Sequence, residues 1–165
     1  MTSQAPPRTC EAWAALLRES VDRFNAYRAE HPDEHVTLAE ADLSFVSLRH
    51  VNLERADLRR SRLESCDLSG ARLDEALMDH ANLRAARLRG ATLRRASLAS
   101  AILYGADLRD ARLDDATLTR ADLCDADLRG ATVRGADPTE TDLRWAKYEI
   151  RELVDVDLTA ARIRM

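Results

Sequence analysis

The stretch Ala106-Asp107-Leu108-Arg109-Asp110-Ala111-Arg112-Leu113-Asp114-Asp115 contains the same five-residue unit twice. Working outward from Leu108, an apolar residue recurs at every fifth position from Leu38 to Ile163, with no slip over 26 units. Leu fills 21 of these centres; the others are Met78, Val133, Pro138, Tyr148 and Ile163. The residue two before the centre is small almost throughout and is Ala in 18 units. Counting from that small residue, Ala106 is position one, Asp107 two, Leu108 three, Arg109 four and Asp110 five. A strict short repeat decides architecture first, and it leaves little chain for the irregular pocket of an enzyme.

The period excludes the simplest readings. Ala, Leu and Arg favour helix, but at about 100° per residue a five-residue step rotates each Leu roughly 140° from the last. No buried stripe would form. A flat strand fails as well, because an odd period alternates faces. Positions one and three are two apart, so in an extended segment both point inward and position two points out. Positions four and five can then turn the chain. Repeated, this gives a polygonal coil whose stacked turns bond to one another like parallel strands.

The runs Ala41-Asp42-Leu43, Ala56-Asp57-Leu58, Ala81-Asn82-Leu83, Ala121-Asp122-Leu123 and Ala126-Asp127-Leu128 resemble the pentapeptide-repeat proteins. The resemblance covers 36–165 and implies an all-β solenoid, a right-handed quadrilateral β-helix with four units to each coil. The period alone leaves three, four or five sides open. With four sides, 36–165 gives about 6.5 coils and a rod roughly 31 Å long at about 4.8 Å per coil. Cys66 and Ser61 fall at the small inward position.

The remainder reads as ends for this rod. Residues 1–8 are expected to be disordered. Residues 9–31 are expected to form one amphipathic helix, with Trp13, Leu16, Leu17, Val21, Phe24 and Tyr27 at steps of three and four. Thr9 would be its N-cap and His31-Pro32 its stop. It is expected to serve as a lid on the first coil, since solenoids need capped ends, the alternative being a partner-binding or membrane-surface element. The segment Phe24-Asn25-Ala26-Tyr27-Arg28 also resembles a leader found before such tracts. From about 138 the pattern decays: Pro138 takes a centre and removes a ladder donor. Arg151 takes an inward position, which an unpaired guanidinium cannot occupy, so the register is expected to give way between about Trp145 and Val154. Trp145, Tyr148, Ile150 and Leu153 would supply either an apolar end cap or a homodimer contact at the C-terminal end.

If four units make one coil, side chains four units apart are stacked. Asp74, Arg94, Asp114 and Arg134 then form an alternating column, as do Arg55, Glu75, Arg95 and Asp115. Asp107 on Asp127, Asp122 on Asp142 and Asp137 on Asp157 stack like charges. Residues 96–155 carry 8 basic and 13 acidic side chains, whereas 36–95 sum to +2 and the coil 76–95 to +4. The rod is therefore electrically polar.

No phosphate loop, nucleophile elbow or cysteine-pair motif is present. Catalytic, cofactor and metal residues are expected to be none, and the chain is read as a non-enzyme. His31 and His35 are separated by Pro32 in a loop, against a helical metal pair. Cys10, Cys66 and Cys124 form no paired framework, which suits a reducing cytoplasm. No segment is long enough to span a membrane. Two functions follow. The first is a non-catalytic rod that binds a protein partner. The second comes from the resemblance: some members mimic DNA, bind DNA gyrase or topoisomerase IV, and give resistance to topoisomerase poisons. Its candidate surface here is Asp107, Asp122, Asp127, Asp137, Asp142 and Asp157. Direct nucleic-acid binding by Arg84, Arg87, Arg89, Arg94 and Arg95 is not expected, since no aromatic side chains interleave them.

Overall fold

The computed structural model describes residues 9–149 and 159–163. Ile150, Arg151, Leu153, Asp157 and residues 1–8 lie outside that range. From Thr37 to Asp127 each position two is bridged, in parallel, to the residue 20 ahead, as in Thr37↔Asp57 and Asp107↔Asp127. Each unit ends in a turn, so four units close one coil and the rod has four sides. The sides are single bridges rather than continuous strands. This follows from the unit itself, which has only three extended residues before it must turn.

Backbone accounting shows why five residues suffice. The unit at 106–110 represents the rest. Asp107 N–H donates to Ala86 O in the coil before (3.0 Å), and Leu108 N–H to Asp127 O in the coil after (2.8 Å). Asp110 N–H also donates forward, to Arg129 O at 3.1 Å. Ala111 N–H closes the turn on Leu108 O (3.0 Å). Only the position-four N–H is left, and Asp107 takes it: Arg109 N–H donates to Asp107 Oδ1 at 3.2 Å. The same contact recurs at Asp42, Asn52, Asp57, Asp67, Asn82, Asp122, Asp127, Asp137 and Asp142. Asp and Asn are common at position two because their short side chains accept from a backbone N–H two residues on.

Every position five from Glu40 to Trp145 has positive φ. With the bond from position one back to position three, this is the signature of a type II turn. Seventeen of those residues are not Gly, and none is β-branched. The left-handed region costs roughly 1–2 kcal/mol for an L-residue, and most for branched ones.

Positions one and three fill the interior. Leu43, Leu58, Leu83, Leu108 and their equivalents are fully buried, with Ala56, Ala81 and Ala106 beside them. Cys66 is one of the small inward residues, and burial pushes its thiol up to about 12. Ser61 is buried at another, with its hydroxyl unpartnered. Thr141 is buried too, but its hydroxyl donates to Leu118 O at 2.7 Å.

The N-terminal region corrects the expectation of a single helix. It forms α1, Cys10–Glu19, and α2, Val21–Glu30. Ser20 is extended (φ −163°): its N–H closes α1 on Leu16 O, and its hydroxyl caps α2 by accepting from Arg23 N–H. Apolar periodicity runs across this break, which is why the sequence reads as continuous. The break sets Trp13 edge-on to Phe24 (5.7 Å) and Tyr27 (5.3 Å). Trp13, Leu17 and Phe24 join one core cluster with Val36 and Leu38.

Polar side chains of these helices stand in for the missing preceding coil. Cys10 Sγ donates to Ala39 O (3.4 Å), Arg18 to Asp42 O, and Arg28 Nη2 to Glu54 O (3.1 Å). Asn25 accepts from Asn52 N–H at 2.8 Å and donates to His50 O at 3.0 Å. Arg28 is buried, and loss of water pulls its pKa down.

At the other end the regular geometry passes Pro138 without a break. Position five keeps positive φ at Glu140 and Trp145, and Asp127↔Lys147 keeps the same step along the chain. Irregularity therefore does not begin at Pro138, and most of the stretch between about Trp145 and Val154, where the register is expected to give way, lies outside the described residues. Thr141 N–H still closes the turn on Pro138 O (2.9 Å), because that turn uses the proline's carbonyl and not its missing N–H. Beyond the undescribed stretch, Asp142↔Arg162 has the same step.

Candidate interaction faces

The register assigns every outward side chain to a face. The first face is residues 36–40 and those stacked on them at four-unit steps. The second begins at 41–45, the third at 46–50 and the fourth at 51–55.

This separates the acidic residues singled out from sequence. Asp107 and Asp127 lie on the third face, Asp122 and Asp142 on the second, and Asp137 on the first. They do not form one surface, and their carboxylates are occupied. Arg109 forks onto Asp107 (2.7 and 2.6 Å), Arg129 onto Asp127 (2.8 and 2.6 Å), and Arg144 onto Asp142 (2.9 and 2.6 Å). Asp137 accepts from the hydroxyls of Thr139 (2.6 Å) and Thr119 (2.9 Å). These partners stabilise the charged form. The Arg109 and Arg129 guanidiniums hold Asp107 and Asp127 below the usual carboxylate range, and Arg144 brings Asp142 down to about 2. The like-charge stacking has a local answer as well, since Arg109 Nε lies 3.9 Å from Asp127.

The two alternating columns behave differently. Glu75 pairs with both Arg55 (3.2 Å) and Arg95. In the other column Asp74 and Asp114 accept from the backbone N–H groups of Arg94 (2.8 Å) and Arg134 (3.2 Å). There the stacked carboxylate serves the backbone of the next coil, at the N–H that position two does not reach. The exposed ion pairs contribute only modestly, because solvent screens them.

Other groupings are shallow or already satisfied. A groove of about 510 Å³ runs beside α2, lined by Arg28, Glu54, Arg55, Asp74, Glu75 and Arg94 among others. Within it Glu75 pairs with Arg55 and Arg95, and Asp74 accepts from the Arg94 backbone N–H. Among the described residues, Asp122, Cys124 and Asp142 bring ligand-type atoms within 4.8 Å of one another. Burial raises the Cys124 thiol, which hydrogen-bonds Asp142. A cation there would have to displace Arg144 from Asp142. Among the described residues, no helix is long and apolar enough to cross a membrane.

The second face carries what the sequence reading missed. Of the large apolar side chains left exposed among the described residues, Phe45, Ile102 and Trp145 point out from it, Leu77 points out from the first, and Ile163 sits at an inward position three. Phe45 is 77% and Trp145 55% exposed, and both occupy position five. Ser65, Ala85, Gly105 and Asp125 lie between them in the same column. Tyr104 lies beside Ile102, its hydroxyl donating to Asp125 (2.9 Å) and the Arg84 guanidinium 4.4 Å above its ring. Arg144 lies 5.5 Å from the Trp145 ring centre. The signal was present in the sequence, since 45, 102 and 145 share a face under the four-unit stacking rule. Trp145 and Tyr148, read as cap or dimer residues, divide: Trp145 is exposed, while Tyr148 packs against the core.

The family model for pentapeptide repeats matches residues 37–74, 76–115 and 106–144, with 8 copies. The chain is similar to a crystal structure of a pentapeptide repeat protein, Rfr23, from the cyanobacterium Cyanothece 51142. Identity is 26% and the TM-score 0.54, over 78% of this chain and 99% of that one. A pentapeptide repeat protein from Nostoc is 28% identical, with a TM-score of 0.41 over 88% and 96% of the two chains. QnrB1, a plasmid-mediated fluoroquinolone resistance protein, is 22% identical with a TM-score of 0.35, covering 79% and 83%. At that level the likeness says nothing of what this chain binds. No curated protein matches in sequence.

Proposed function

Since the chain belongs to the pentapeptide-repeat family, we propose that it is a non-catalytic, protein-binding rod whose contact surface is the second face. The rod is right-handed and runs for about 6.5 coils, roughly 31 Å, over 36–165. The observation that carries this reading is that, among the described residues, three of the four outward-pointing large apolar side chains left exposed, Phe45, Ile102 and Trp145, lie on one face. Exposed apolar side chains grouped in this way mark interaction sites more than scattered ones do. Three free thiols suit a reducing compartment, and we place the protein in the cytoplasm.

DNA mimicry draws less support from the geometry. It needs a continuous anionic surface, whereas the candidate carboxylates are spread over three faces and Asp107, Asp127 and Asp142 hold their own arginines. In a gyrase supercoiling assay, with and without a quinolone, the expected outcome is neither inhibition nor protection.

The contact face is tested by photo-cross-linking in cells, with one reactive residue per face, at positions 117, 102, 87 and 112. Protein adducts should form chiefly from position 102. Adducts spread evenly over the four positions, or formed at none, would overturn the reading.

A further inference from the structure

We infer that the C-terminal half of the second face receives a basic side chain, set among apolar ones, from a partner protein. The inference rests on the second face being the contact surface and names the chemistry of what it meets.

Three columns build this half. At position two Ile102 is followed, coil by coil, by Asp122 and Asp142; at position four Tyr104 by Cys124 and Arg144; at position five Gly105 by Asp125 and Trp145. Each step is roughly 4.8 Å. Cys124 is buried and forms the floor. Ile102 and Trp145 are exposed, so Asp122 and Asp125 lie between two apolar side chains open to solvent. Open space adjoins Asp125 in its column, since nothing stands within 4 Å of where a Cβ on Gly105 would be.

These carboxylates lack the cation that the repeat gives others. Where position four is Arg, it turns back onto the position-two Asp of its own unit, as Arg59 does on Asp57, Arg109 on Asp107, Arg129 on Asp127 and Arg144 on Asp142. After Asp122, position four is Cys124. Asp122 accepts from Cys124 N–H (3.0 Å) and Asp125 from the Tyr104 hydroxyl (2.9 Å), but among the described residues neither has an ion pair. Arg84 lies over the Tyr104 ring instead.

The charge of the face itself agrees. Over 101–105, 121–125 and 141–145 it holds Asp122, Asp125 and Asp142 against Arg144, a net −2. Over 41–45, 61–65 and 81–85, Asp42 and Glu64 balance Arg62 and Arg84. Unpaired negative charge and exposed apolar surface therefore coincide in one half. A partner's Lys or Arg can meet Asp122 and Asp125 while its apolar neighbours cover Ile102 and Trp145, and the indole ring also attracts a cation. An acidic partner segment would be repelled at the same place.

The probe is a capped heptapeptide of alternating leucine and arginine, titrated into the 15N-labelled protein, with its leucine–glutamate counterpart alongside. Amide shifts should centre on Ile102, Asp122, Asp125 and Trp145, and the glutamate peptide should give none. The double variant Asp122→Asn/Asp125→Asn should bind the arginine peptide about tenfold more weakly or worse. It stays folded, because Asn serves at position two in Asn52 and Asn82 and tolerates the left-handed region at position five. Asp114→Asn/Asp115→Asn, the same change of charge on the fourth face, should bind like the parent. Equal binding of the two peptides, shifts centred on another face, no shifts at millimolar peptide, or undiminished binding by the 122/125 variant overturns the inference. In cells, adducts from position 102 that persist undiminished in that variant reject the basic partner and leave the contact face standing. Adducts at none of the four positions overturn the contact face and the inference with it.

Discussion

At the scale of the residue, the composition of the unit reflects one backbone group. The ladder and the turn satisfy four of five N–H groups, and position two takes the fifth wherever it is Asp or Asn. Asp142 does this while held by Arg144 at a pKa of about 2. A carboxylate lowered in the folded state contributes stability that is complete above its unfolded pKa and is lost as pH falls through the folded one. Melting temperature should therefore drop between about pH 4 and about pH 2. Asp142→Asn should flatten that slope, and an unchanged slope would contradict the assignment. Inward positions give a second contrast. Ser61 buries a hydroxyl with no partner, so Ser61→Ala should stabilise by about 1 kcal/mol in urea unfolding. Thr141 donates to Leu118 O, so Thr141→Ala should destabilise by a similar amount. That both residues point inward was legible from the period. Which hydroxyl finds an acceptor was not, because the acceptor lies in another coil.

At the scale of the element, the type II corner limits which residues the repeat accepts. Ala85 sits at φ 54°. Ala85→Val should cost about 1–2 kcal/mol, since a β-branched side chain tolerates the left-handed region poorly. Ala85→Gly should be neutral or mildly stabilising, because relief of strain offsets added chain entropy. Equal melting temperatures for the Val and Gly variants would refute a strained corner. Sequence reading located the corners at positions four and five, and Gly70, Gly90 and Gly130 fall at position five. It did not give the turn type. The helical cap was legible in composition but not in shape. Ser20 caps α2 only because the chain is extended there, and the periodicity through Leu17, Val21 and Phe24 disguises the break. The leader segment 24–28 acquires a physical meaning from the fold: Phe24 plugs the core, and Asn25 and Arg28 pair with backbone groups of the first coil.

At the scale of the whole molecule, one step length organises everything. Stacking at four units turns scattered side chains into columns, divides the acidic residues among three faces, and gathers Phe45, Ile102 and Trp145 on one. The columns of charge were legible in sequence. Phe45, Ile102 and Trp145 were not legible as one face because they lie far apart along the chain. The most direct test of this register is a spin-label distance between Phe45→Cys and Trp145→Cys on one chain, diluted with unlabelled protein. Four units per coil puts the two on one edge, with a narrow distribution centred at roughly 24 Å before allowance for the label arms. A separation of roughly 32 Å or roughly 19 Å, as coils of three or five units would give at about 4.8 Å per coil, would contradict the account.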